Sequence, residues 1–130
     1  MVVIDTSVWV AALRSRAAPE VPAWEALLDA DEVILPVPVR IELLLGAPAR
    51  ERVSLRRNLS SLPIAYPTDE TWTLIEGWAG HAADAGHRFS VGDLLIAALA
   101  SERGALIWSL DRDFERMARL KFVSVYNARR

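Results

Sequence analysis

The chain has 130 residues, no cysteine and a net charge of -2. That length suffices for one domain with a real core, and the composition excludes a disulfide framework, a thiolate metal site and an overall basic field. With 52% hydrophobic and 25% charged residues, the chain is globular, not disordered. One domain over residues 1–130 is expected, in the cytoplasm. The lack of cysteine fits a reducing compartment, the N-terminus carries no basic and apolar leader, and no apolar run approaches the ~20 residues of a membrane span. Lys121 is the only lysine among 15 basic residues. The arginines suit bidentate phosphate contacts, although compositional bias explains any single one equally well.

In chain order, Val2, Val3 and Ile4 form a β-branched apolar run that suits a parallel strand buried on both faces. Asp5, Thr6 and Ser7 follow, and the spacing of Val8, Trp9, Ala11, Ala12 and Leu13 predicts a helix to Arg14. A carboxylate and two hydroxyls therefore stand at the C-terminal end of the first strand, where α/β sheets bind ligands. The local alternative for Asp5 is a helix N-cap. Ala23–Ala30 reads as a short helix with Trp24, Leu27 and Leu28 on one face. Val33–Leu35 is a second strand. Pro38 can open the next helix at its first position, where its missing N–H costs nothing, and Gly46 is a plausible C′ stop. Glu42 lies inside the apolar stretch of that helix, either on a narrow solvent face or pointing across the strand end.

Pro48–Leu62 is a polar helix with Arg52 and Arg56 at i,i+4 and Arg57 beside them. This is either a solvated face paired with acids such as Glu51 or a set of phosphate contacts. Ile64–Tyr66 is a third strand. Thr68–Ala85 is a helix that Thr68 can cap, with Trp72, Ile75, Ala79 and Ala82 on its apolar face. His81 and His87 lack metal-ligand spacing and read as surface residues. Ser90–Arg103 is apolar all round from Leu94 to Ala100, so it is central and buried. Ser90 and Asp93 have capping-box spacing, which accounts for an acid there without chemistry. Gly104 ends the helix. Ala105–Trp108 is a fourth strand, and Ser109, Asp111 and Asp113 repeat the opening order of strand, hydroxyl, carboxylate and helix. The helix Arg112–Leu120 and a last strand, Phe122–Val125, complete the fold, with Arg129 and Arg130 at the end.

Alternating strands and helices imply a parallel sheet covered on both faces. Right-handed crossovers then bring the strand C-termini to one edge, and with them Asp5, Asp93, Asp111, Asp113 and Glu42. Carboxylates gathered this closely repel one another unless a cation neutralises them. An all-oxygen donor set selects a hard cation, Mg²⁺ or Mn²⁺, over zinc. Such an ion activates water and stabilises the leaving oxygen in phosphoryl displacement.

The segments VVIDTSVWVAAL, PVPVRIELLLG, GDLLIAALA and WSLDRDF occur in an order that resembles the PIN-domain ribonucleases, specifically the VapC toxins of toxin–antitoxin pairs, over essentially the whole chain. The resemblance implies a three-layer α/β/α fold with strand order 3-2-1-4-5 and Mg²⁺- or Mn²⁺-dependent endonucleolytic cleavage of RNA, often tRNA or rRNA. The family's metal-binding and catalytic acids match Asp5, Glu42, Asp93 and Asp111, with Asp113 accessory or alternative. Its conserved hydroxyl matches Ser7, and Ser109 stands where the family commonly has Thr. The resemblance also implies a homodimer and a VapB antitoxin partner.

Other readings fit less well. A dehalogenase-type phosphatase needs a second Asp at position 7, which is Ser, and a receiver domain needs paired early acids. No nucleophile elbow or glycine-rich phosphate loop is present. A non-catalytic RNA- or protein-binding module on this scaffold remains as the alternative from another class, and it would tolerate loss of the acids.

Overall fold

Four short strands form the sheet in the computed structural model, which describes residues 1–128; Arg129 and Arg130 lie outside the described residues. Their order is β3-β2-β1-β4, with β1 Val2–Ile4, β2 Val33–Pro36, β3 Ile64–Ala65 and β4 Leu106–Trp108. All pairings are parallel, and Val2 and Val3 sit opposite Val33 and Ile34 on one side and Leu106 and Ile107 on the other. The apolar run at the N-terminus is thus the middle of the sheet. Val3, Ile4, Leu35 and Ile107 are fully buried, as a strand covered on both faces requires.

Among the described residues, seven helices connect and cover the strands: α1 Thr6–Arg14, α2 Val21–Asp29, α3 Val37–Gly46, α4 Ala49–Leu59, α5 Asp69–Asp84, α6 Val91–Glu102 and α7 Asp113–Arg119. The result is the expected α/β/α arrangement. Helix α6 is the central one, with Leu94 and Ile96 to Ala100 all buried, and it packs on α5, α3, β4 and β2. Four helices end in the same way. After α2, α5, α6 and α7 the chain turns at Asp31, Gly86, Gly104 and Lys121, each at positive φ. The amides of Glu32, His87, Ala105 and Phe122 then reach back to Leu27, Ala82, Ala100 and Met117. These are Schellman closures, which satisfy otherwise orphaned carbonyls and launch the chain back toward the sheet.

Several expectations are corrected. Gly46 is the last residue of α3, not a left-handed stop, and Ala47 leaves the helix at ψ 140. The cause is Pro48, whose ring disfavours helical conformation in the residue before it. Pro38 occupies the second helical position, because α3 begins at Val37. The polar helix α4 is shorter than expected and ends at Leu59.

On α5 the buried positions are Thr71, Ile75 and Ala82, whereas Trp72 is 47% exposed and Ala79 is also exposed. The buried face is rotated toward Thr71. Its hydroxyl accepts from the Thr68 amide at 2.9 Å and donates to Glu102 Oε1 at 2.7 Å, so a polar residue is fully satisfied inside. The strand expected at Phe122–Val125 reduces to one parallel bridge, Ile107 to Val125. It is held by Ile107 N to Ser124 O and Tyr126 N to Ile107 O. The fifth position of the sheet order is therefore occupied, but by a bridge and not by a strand.

Candidate active site

Asp5 is the first residue after β1, and its backbone is fixed by the strand beside it. Its amide donates to Trp108 O at 2.8 Å, and its carbonyl accepts from Val8 and Trp9 at the start of α1. The side chain makes no capping bond to α1, so the N-cap explanation of this acid fails. Instead Oδ2 accepts two hydroxyl protons, from Ser7 at 2.8 Å and Ser109 at 2.7 Å. Each serine oxygen in turn accepts a backbone amide, Leu110 N on Ser7 and Asp111 N on Ser109. A hydroxyl has one proton to give and lone pairs to receive, so both serines are satisfied in one direction, amide to hydroxyl to carboxylate. The network ties the end of β1 to the loop after β4 around a carboxylate that is only 6% exposed.

The loop after β4 continues the pattern. Asp111 Oδ1 accepts the Asp113 amide at 2.9 Å, just before α7. Asp113 Oδ1 accepts from Arg116 Nη1 at 2.7 Å. From the mouth of α6 comes Asp93, whose amide donates to Ser90 Oγ at 3.1 Å. The capping spacing is thus real, yet the Asp93 carboxylate also meets the others. Asp93, Asp111 and Asp113 each offer an oxygen, and these oxygens lie within 4.8 Å of one another. The Asp93 carboxyl is pushed up to about 6, first by burial and then by the negative charge of Asp5, with smaller contributions from Asp111 and Asp113; Ser90 pulls the other way. Burial is the larger cause, and the neighbouring carboxylates add to it.

The sequence-predicted acids therefore divide. Asp93, Asp111 and Asp113 form one trio, and Asp5 stands beside it, close enough to act on Asp93. Glu42 is exposed on α3 and outside the trio; it accepts the Thr6 hydroxyl at 3.0 Å, one residue from Asp5. Arg52, Arg56 and Arg57 are exposed on α4. Glu51, expected as their local partner, makes no ion pair with them among the described residues. His81 is exposed near the Phe122 ring, and His87 stacks on Phe89. Neither joins the acidic group.

One residue, Arg116, was missed by the sequence reading. Thr6 was placed at the strand end as a hydroxyl, but its partner Glu42, 36 positions away, was not legible. Arg116 was legible, because Asp113 and Arg116 stand at i,i+3 on a helix. The donor set at this edge is all carboxylate and hydroxyl oxygen, the chemistry of a hard divalent cation. Besides this edge, a groove of about 440 Å³ runs between α1, α3 and α4, lined by Val10, Leu13, Leu43 and Leu55 with Arg14, Glu42 and Glu51 at its charged positions.

A family model described as PIN domain matches residues 2–120. The chain is 32% identical to Ribonuclease VapC18 of Mycobacterium tuberculosis over 120 residues, covering 88% of this chain and 85% of the relative. It is 33% identical to Ribonuclease VapC11 of the same species over 125 residues, 92% and 93% of the two chains. Among solved structures, it is similar to a chain of VapBC2 from Rickettsia felis bound to a promoter DNA fragment, with TM-score 0.76 at 18% identity over 98% of both chains. A chain of FitAB bound to a DNA fragment superposes with TM-score 0.81 at 21% identity, over 98% of this chain and 95% of that one. With a match over nearly its whole length and relatives above 30% identity, this chain belongs to the PIN domain family, on its VapC branch.

Proposed function

We propose that this chain is a metal-dependent endoribonuclease and the toxin of a VapBC-type toxin–antitoxin pair, acting in the cytoplasm as a single domain over residues 1–130. The observation that carries the reading is the meeting of Asp93, Asp111 and Asp113 within 4.8 Å beside the buried Asp5, on a chain whose relatives are named ribonucleases. Such a group is unfavourable unless a cation is bound, and its oxygen donors fit Mg²⁺ or Mn²⁺. Asp5, Glu42, Asp93 and Asp111 would hold the ion, with Asp113 accessory. The bound ion supplies an activated water and stabilises charge on phosphate oxygens. Ser7 and Ser109 hold Asp5 through Oδ2, leaving Oδ1 free of hydroxyl donors among the described residues. Arg52, Arg56 and Arg57, without ion pairs among the described residues, form a basic face that suits the RNA backbone.

A VapB-type antitoxin is the proposed partner. Solved relatives of similar fold are described as VapBC complexes, and the apolar groove between α1, α3 and α4 begins at Glu42, beside the acidic edge. An amphipathic segment with basic residues matches that combination. The chain is further proposed to work as a homodimer on tRNA or rRNA, away from membranes; no described helix is long and apolar enough to cross one. The test is cleavage of total tRNA and rRNA with Mg²⁺ or Mn²⁺. Activity that stops in EDTA and in Asp111→Asn supports the reading, and full activity in excess EDTA overturns it.

A further inference from the structure

The single ion pair among the described residues lies at the edge of the acidic site: Arg116 Nη1 donates to Asp113 Oδ1 at 2.7 Å, with the two side chains 40% and 32% exposed. A pair this exposed contributes little to stability, so stability alone does not explain a cation placed there. A guanidinium has five N–H donors in a rigid fork, and no second hydrogen bond from the Arg116 side chain is present among the described residues. Four donors remain for another acceptor. Arg119, at i+3 on α7, and Arg112, the N-cap residue just before the helix, are exposed, so the cation at the site has basic neighbours.

The electrostatics ask for such a residue. Asp5, Asp93, Asp111 and Asp113 place four carboxylates at one edge, and a single divalent ion leaves that edge net negative toward an incoming polyanion. Among the described residues, Arg116 is the one basic side chain in an ion pair with the group. Its fork matches two oxygens of a phosphate.

We propose that Arg116 binds a backbone phosphate of the RNA beside the acidic site, and that Asp113 is a positioning residue that holds the guanidinium there. The inference rests on the nuclease reading above, and it assigns the Asp113 Oδ1 atom to Arg116 and not to a metal ion. The phosphate contact needs no metal, so it is measurable by fluorescence anisotropy of a labelled single-stranded RNA oligonucleotide in EDTA, where cleavage does not interfere.

Arg116→Gln weakens RNA binding about tenfold, the scale of one charge-assisted contact. It also lowers the slope of log K against log salt by about 0.7, the value for one phosphate on a single strand. Arg116→Lys recovers part of the affinity, as a point charge without the fork. Asp113→Asn is the sharpest arm. Removing a negative charge from an acidic edge tightens RNA binding on charge count alone, whereas loss of a positioning contact weakens it, as expected here. The proposal is overturned by Arg116→Gln with wild-type affinity and slope, by tighter or unchanged binding in Asp113→Asn, or by wild-type protein that binds no RNA in EDTA. Wild-type cleavage of the same RNA with Mn²⁺, run in parallel, tests the nuclease reading on its own. Cleavage with no effect of either substitution sinks only the role of Arg116.

Discussion

The Ser109 hydroxyl donates to Asp5 Oδ2 at 2.7 Å across 104 positions of sequence. Its oxygen also accepts the Asp111 amide at 2.9 Å, so one hydroxyl sets the distance between the acid after β1 and the acid after β4. Ser109→Ala removes both contacts. It leaves a buried carboxylate with one hydroxyl donor and an amide without its acceptor, a loss of about 1–3 kcal/mol. Urea unfolding should show that loss, and RNA cleavage should fall with it. Ser109→Thr keeps the hydroxyl and should retain both. A Ser109→Ala protein of wild-type stability and activity would show that the network does not position the acids.

The pH dependence of the metal-free protein follows from Asp93. Its carboxyl is raised from 3.8 to about 6, first by burial and next by Asp5. A folded-state value above the unfolded one means that the folded state binds the proton more tightly. The stability contribution is therefore full below pH 3.8 and is lost as pH rises to about 6. The wild-type urea midpoint should fall over that window relative to Asp93→Asn, with the difference level above it. Mn²⁺ should reduce the wild-type loss at neutral pH, because the cation offsets the charge that Asp93 acquires. A wild-type midpoint that rises across the window relative to the Asn variant would contradict the assignment.

Elements whose signal is local were legible in the sequence. The runs Val2–Ile4 and Leu94–Ala100 fixed the central strand and the central helix, because both are apolar on every side and nothing else fits such runs. Position in a face was less legible. Trp72 outranks Thr71 in hydrophobicity, yet Thr71 is the buried one, since its hydroxyl bonds to Thr68 and to Glu102, 31 positions away. Gly46 carried a stop signal that Pro48 overrode through the conformation of Ala47. At the site, Asp5, Asp111 and Asp113 followed from strand ends, whereas Asp93 comes from the mouth of α6, which follows α5 and not a strand. The serine bridge to Asp5 did not follow, because hydrogen bonds between positions about a hundred residues apart have no sequence period. The distance of Glu42 from the Asp93 trio was hidden for the same reason.

Arg52, Arg56 and Arg57 give a prediction separate from that for Arg116. They are exposed and without ion pairs among the described residues, so their charge is free for phosphate. Replacing all three by Gln should weaken RNA binding and flatten its salt dependence by about 2 units on a logarithmic scale, at about 0.7 per phosphate contact. Metal-dependent thermal stabilisation should not change, since the α4 residues are not among the acids at the sheet edge. An unaltered salt slope would leave the three arginines as a solvated face.

Asp93→Asn separates the two roles of that residue. The bond from its amide to Ser90 Oγ belongs to the backbone and survives the substitution, so the helix start stays capped. If capping were the whole role, the variant would lose about 1 kcal/mol or less and cleave RNA normally. As a metal ligand, Asp93 is a charge that the metal-free site holds against Asp5, Asp111 and Asp113. Removing it relieves that repulsion, so metal-free stability at neutral pH should hold or rise. The near-isosteric change leaves the buried Leu94 beside it undisturbed, which keeps packing out of the comparison. The rise in Tm that Mg²⁺ or Mn²⁺ gives the wild type should shrink sharply, because stabilisation by a ligand scales with its affinity for the folded state. RNA cleavage should fall steeply with it. Thermal melts with and without the ion, beside a cleavage assay, decide the matter. A variant that melts lower, keeps its full metal-induced shift and cleaves at the wild-type rate would return Asp93 to the role of a helix cap.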